Sequence, residues 1–365
     1  MATTRREWHP YQPTTLPAPG ETLRETLEEL GLTQSNFATR TGLTLKHINQ
    51  IVRGRAAISP ETAVAFERST DVPATFWNAL EANYQDHNIR SAEADSLAKH
   101  AEWLDQMPIS ELRKLGHVTV DKRQPGVLLQ EVLKFFGVAN IEAWRETWQA
   151  PAAAFFQSNA FDVDIPATAA WLRLGELDAT HIHCQPFDRT GLRQAVPHLR
   201  SLTTQSPKEF YPELIRTCGE VGVAVVLVPG IPGTRARGAA RFLAPSKALI
   251  QLSNRHKTND HFWFAFFHEI GHLLLHSKKQ TFIRFEGKEQ VQPEVEQEAN
   301  EFAGDLLIPV RYDARILAIE TPADATALAD ELGIHPGIVA GRYRRETQNW
   351  SFAPGLFAKF EIVRK

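Results

Sequence analysis

Residues 262–276 read FWFAFFHEIGHLLLH, and inside them His268-Glu269-Ile270-Gly271-His272 is an H-E-x-x-H. If the run is one helix, the two histidines stand a turn apart on the same face. Two imidazoles so placed can grip a zinc ion, and Glu269 beside them is the candidate catalytic base. The flanking Phe264, Phe267, Leu273 and Leu275 are apolar enough to bury the helix, and buried histidine and glutamate need partners. A zinc site of this kind takes a third protein ligand and keeps a fourth position open. Residues 294–309, EVEQEANEFAGDLLIP, supply candidates, with Val295, Ala299, Phe302, Ala303, Leu306 and Leu307 at helical spacing. Glu296 is the expected third ligand. Asn300, one turn on, shares its face and can hold a ligand histidine by a hydrogen bond. Glu294, Glu298, Glu301 and His276 remain rivals. A structural or regulatory zinc would leave much the same pattern as a catalytic one.

The elements that must position these groups change character along the chain. Residues 221–229 are rich in β-branched side chains and read as a buried strand. Residues 230–238 read as a turn-rich loop, and 239–243 with 248–252 as a hairpin across Ala244-Pro245-Ser246. A small sheet beside a metal helix suits a peptidase, because an edge strand can pair with an extended substrate. Residues 278–292 are polar and are expected to form a mobile loop over the site. Beyond Pro309, helices are expected from Thr321 and from His335, packing onto the metal domain.

A second constellation lies near the start. Short helices punctuated by Gly31, Gly42 and Gly54, with Thr33 a plausible N-cap and Ser59-Pro60 opening the next helix, carry the spacing of a helix-turn-helix. Residues 31–60 hold no Asp or Glu, whereas Arg40, Lys46, Arg53 and Arg55 are cationic, a face suited to phosphates. The recognition helix is expected over 44–52. The candidate DNA-binding residues are Thr33, Gln34, Thr44, Lys46, His47, Asn49, Gln50 and Arg53, all able to bond base edges or phosphates. The basic patch is small, so dimerisation is expected to contribute to affinity.

The chain of 365 residues is long enough for two or three domains, and its formal charge of −3 excludes a polycation. Two cysteines, Cys184 and Cys218, exclude a disulfide scaffold and suit a reducing cytoplasm. The first twenty residues lack the apolar core of a signal peptide, and no apolar run approaches the ~18 residues a membrane span needs. The expected organisation is multidomain and mainly α with a small β-sheet. Residues 1–19 form a flexible arm, 20–84 an all-α helix-turn-helix domain, 85–210 a helical connector, and 211–365 an α+β metal domain. In the connector, Asp162, Asp164, His181, His183 and Cys184 do not share one helix face and are read as ordinary polar residues.

Residues 20–84 resemble the Xre-type helix-turn-helix, in particular its HigA-antitoxin version. Residues 221–345 are similar to the ImmA/IrrE metallopeptidase-like family. Its H-E-x-x-H matches His268–His272, and its E-x-x-x-N-x-F-A helix matches Glu296, Asn300, Phe302 and Ala303, followed by Leu306-Leu307-Ile308-Pro309. The resemblance implies a gluzincin-like fold, a Zn2+ cofactor, a preference for Glu296 over Glu298 as ligand, and action on a repressor or toxin protein. A non-catalytic antitoxin-type regulator with a structural or sensory metal domain is the alternative it leaves.

Overall fold

The computed structural model describes residues 16–149, 164–253, 258–278, 281–285 and 293–359. They divide into two compact units, one drawn from Met1–Ala101 and Val120–Gln130, the other from Glu102–Thr119 and Glu131–Lys365. Asp162 and residues 1–15 of the expected arm lie outside the described residues.

The first unit opens with five helices: α1 (Pro19–Glu29), α2 (Gln34–Thr41), α3 (Leu45–Val52), α4 (Pro60–Thr70) and α5 (Ala74–Ala98). Local chemistry sets the boundaries. The hydroxyls of Thr33, Thr44 and Ser59 accept the backbone N–H groups of Asn36, His47 and Thr62, satisfying donors that the first helical turns leave open. Gly42 ends α2 with φ 72°, a left-handed conformation glycine adopts without strain. Leu23, Leu27, Phe37, Ile48, Ile51, Phe66 and Trp77 form one core. Phe66 sits at its centre, 5.1 Å from the Phe37 ring and 5.5 Å from Trp77. The second half of α5, past Tyr84, is largely exposed.

The next helices are α6 (Ile109–Lys114), α7 (Pro125–Phe136) and α8 (Ile141–Trp144). In the second unit, Trp103, Phe136 and Trp144 meet edge to face. Helix α9 (Ile165–Thr180) follows, capped by Asp164, whose carboxylate accepts the Ala167 N–H at 2.9 Å. Then come α10 (Arg189–Ser201) and α11 (Pro207–Glu220), the latter opened by a Ser206/Glu209 capping box. The sheet consists of β1 (Val223–Val228), β2 (Ala236–Ala244), β3 (Lys247–Ser253) and β4 (Phe282–Phe285), in the order β1-β3-β2-β4. β1 runs parallel to β3, while β2 is antiparallel to β3 and β4.

Helices cover both faces of this sheet, and β1 (VAVVLV) reads as a continuous apolar run. On one face lies α9, tied down by Gln251 Nε2 to the Trp171 carbonyl (2.6 Å) and Arg241 Nη2 to the Leu172 carbonyl (2.6 Å). The other face, with Val223, Val225, Ala240, Ala248 and Ile250, shares a core with α12 (Asn259–Leu275). Helix α13 (Pro293–Leu307) packs beside α12, followed by α14 (Asp313–Leu317), α15 (Pro322–Leu332) and α16 (Pro336–Thr347). Arg200 donates to the carbonyls of Leu306 and Leu307, the end of α13, and to that of Leu332, the end of α15.

Two expectations change. The turn-rich stretch 230–238 gives its last residues to β2, which begins at Ala236. Within 278–292, residues 282–285 form the edge strand β4 rather than loop, paired Gly238↔Arg284 and Ala240↔Phe282. Four residues are too short to show a strand period, and what orders them is pairing with a distant segment. Residues 279–280 and 286–292 of that stretch lie outside the described residues.

Candidate functional site

Helices α12 and α13 build the centre. The approach between them is close because Gly271 faces Ala299: a Cβ at Gly271 would lie 3.3 Å from the Ala299 Cα and 3.1 Å from Phe302 Cδ1. This brings Glu296 over the two histidines. Its Oε2 is 3.1 Å from His268 Nε2 and its Oε1 is 3.2 Å from His272 Nε2. The two Nε2 atoms are 3.0 Å apart. His268 turns its Nδ1 to Asn300 Oδ1 at 3.1 Å, the bond that leaves Nε2 as a lone pair facing inward. The ring of His272 stacks on Phe282 of β4 with centroids 4.3 Å apart and planes 6° apart.

The donor set fits a metal. Two imidazole nitrogens and a carboxylate are ligand types zinc accepts. Glu296 Oε2 makes no hydrogen bond despite its closeness to His268, and His272 Nδ1 has none either. Three basic atoms crowded together, with too few protons to link them all, are what a cation would relieve. Among the described residues, His268, His272 and Glu296 are the one group of His, Cys, Asp or Glu side chains so clustered. The rivals point elsewhere. Glu294, Glu298 and Glu301 are exposed, and His276 faces Glu298 at 3.6 Å.

Glu269 is fully buried, and neither of its oxygens has a hydrogen bond. Gly238 makes room for it, since a Cβ there would lie 2.2 Å from Glu269 Oε1. Burial and the Glu296 charge push the Glu269 carboxyl well above the usual range, opposed by the Arg284 guanidinium. Burial pushes Glu296 up as well, but the closeness of the His268 and His272 rings outweighs it and holds the carboxyl at about 2. His268 is lowered to about 4, first by burial.

In the first unit, the candidate DNA contacts fall into groups. Thr33 and Thr44 spend their hydroxyls as caps. Gln34 and Asn49 bridge α2 and α3, with Asn49 Nδ2 donating to Gln34 Oε1 at 3.3 Å. Lys46, Gln50 and Arg53 are exposed, His47 is half-buried, and Arg40 and Arg55 add exposed cations.

Residues 23–77 match the helix-turn-helix family, and residues 227–342 match the IrrE N-terminal-like domain. The chain joins an Xre-like helix-turn-helix domain to an IrrE-like domain. Among solved structures, it is similar to the Pseudomonas aeruginosa antitoxin HigA with the higBA promoter. That match has 30% identity over 22% of this chain and 88% of that one, with a TM-score of 0.21. It is also similar to an addiction module antidote protein of the HigA family from Coxiella burnetii, with 21% identity over 23% of this chain and 91% of that one, and a TM-score of 0.22. No curated protein matches the chain.

Sequence reasoning missed three participants in the IrrE-like domain: Gly238, Phe282 and Arg284. Gly238 carried the one usable signal, a glycine at the edge of a strand pattern, which marks a close approach. Nothing local marks Phe282 or Arg284.

Proposed function

We propose that the chain is a DNA-binding transcription regulator whose IrrE-like domain is a zinc-dependent peptidase acting on a repressor or other regulatory protein. The convergence of His268, His272 and Glu296 beside an unpartnered Glu269 carries this reading. If zinc were held by His268, His272 and Glu296, it would supply Lewis acidity there. His268 and His272 present their Nε2 atoms, with Asn300 fixing the tautomer of the first. Glu269, raised in pKa and free of hydrogen bonds, is placed to take a proton from the attacking water and pass it to the departing amine nitrogen. The edge of β4 that no described strand pairs with offers backbone groups to an extended substrate chain.

For the helix-turn-helix domain, the reading is double-stranded DNA with α3 in the major groove. Lys46 and Arg53 meet phosphates, while Gln50 and Asn49 face base edges. A homodimer would set two such helices on a two-fold operator. Among the described residues no helix is long and apolar enough to cross a membrane. A cytoplasmic location completes the proposal.

One observation favours a second reading, a structural or sensory metal in a non-catalytic regulator. His268, Glu269 and His272 are all at most 1% exposed, which limits the access of water and substrate to the cluster. Glu269→Gln separates the two. The peptidase reading expects metal content unchanged and protein N-termini that arise in cells carrying the wild type but not the variant. Equal metal in both, with no wild-type-specific N-termini, would leave the structural reading standing.

A further inference from the structure

We propose that the IrrE-like domain binds a small organic anion, a carboxylate or phosphate on an apolar body, in a cavity beside the metal-ligand cluster. The cavity measures about 500 Å³, within the range of pockets that hold small organic molecules. Among the described residues, Arg237, Arg284, Arg342, Arg344, Arg345 and Lys359 line it, against a single carboxylate, Asp260. Such a concentration of one sign in a concave, partly apolar wall calls for a counter-charge.

Some of these cations already have partners. Arg342 pairs with Asp313 and Glu346, and Arg344 donates to the Phe352 carbonyl while lying over the Phe357 ring. Asp260 lies 3.4 Å from His261. Arg284 and Arg345 have neither a side-chain hydrogen bond nor an ion pair among the described residues, although Arg284 feels the charges of Glu269 and Glu296. Both stand over the same ring, their guanidinium carbons 5.1 and 6.0 Å from the centroid of Phe264. Two guanidiniums held against one aromatic ring are a cation pair suited to a carboxylate or phosphate. Phe264, Ile338 and Phe357 offer apolar wall to the rest of the molecule.

The site is built from α12, α16, β4 and the segment around 354–359, so ligand occupancy would brace the helix that carries His268 and His272. Its lining comes from β2, β3, β4, α12, α13, α16 and the 354–359 segment, and a concave site of this volume favours a compact molecule over a length of polypeptide. The proposal does not depend on peptide hydrolysis.

The test is calorimetric titration of the full chain with phenyl phosphate and with phenylacetate, beside the neutral phenylacetamide and an acidic pentapeptide. The expected result is saturable one-to-one binding of at least one anion and none of the amide. Arg345→Gln should weaken binding about tenfold or more with the melting temperature retained, and Arg284→Gln should weaken it similarly. Because Arg284 is the deeper residue, Arg345→Glu serves as the second variant and should abolish binding in a folded chain. Binding of neither anion, or binding unchanged in both Arg345 variants, overturns the proposal. Binding of the acidic peptide alone also overturns it and assigns the cavity to a polypeptide substrate.

Discussion

Gly271→Ala separates the stability of the IrrE-like domain from its capacity for metal. Alanine gains about 1 kcal/mol over glycine in helix propensity. Against that, the added methyl would lie 3.1 Å from Phe302 Cδ1 and 3.3 Å from the Ala299 Cα. Carbon atoms rest at about 3.5–4.0 Å, so α13 has to retreat by a few tenths of an ångström. Overpacking of this kind costs about 1–3 kcal/mol, which leaves a net loss of roughly 0–2 kcal/mol. Glu296 lies one turn before Asn300 on the same helix and moves with it. Metal–ligand distances tolerate only about 0.2 Å, so zinc affinity should fall about 10-fold or more while the fold survives. Competition with a chromophoric chelator gives the affinity, and urea unfolding of the chelator-treated protein gives the stability. Unchanged zinc affinity would refute the argument that the bare face of Gly271 sets the reach of Glu296. So would a stability loss well beyond 3 kcal/mol, the upper end of the overpacking range.

Lys46→Ala and Arg53→Ala should each weaken binding to promoter DNA nearly uniformly across sequences and reduce the slope of log K against log salt by about 1. Fluorescence anisotropy at several salt concentrations reads this, and an unchanged slope would remove these side chains from the phosphate contacts. Trp77→Ala, which empties a fully buried site against Phe66, should cost about 3–5 kcal/mol in the first unit, measured by urea unfolding. The metal-free chain should lose stability as pH falls from 6.5 towards about 4. Burial keeps the His268 ring neutral in the fold there while the unfolded chain takes up a proton. Glu296, with its pKa held at about 2, adds a loss in the same direction below pH 4.5. A urea midpoint that stays flat across the first window would count against a buried, neutral His268.

The parts of this protein that were legible in its sequence are those whose signal is local. The H-E-x-x-H and the E-x-x-x-N helix each place their side chains by a turn of known pitch, so shared faces follow from counting. The helix-turn-helix announces itself through caps and glycines, chemistry that acts over three or four residues. The hairpin of β2 and β3 is also local. What spacing cannot show is which distant segment completes a wall. Phe282 stacks on His272, and Arg284 stands across from Gly238, only because four residues pair with β2 more than forty positions upstream. A four-residue strand has no period to detect, and its register is set by its partner. The same holds for the anion cavity, whose cations come from β2, β4, α16 and Lys359 beyond it and carry no common motif. The catalytic proposal and the ligand proposal therefore rest on different kinds of evidence. One is a motif that folding brings into contact, while the other is a juxtaposition that exists only after folding. They can fail independently: loss of zinc from Glu296→Ala with retained anion binding would show that the cavity is assembled by the sheet and α16 rather than by the metal.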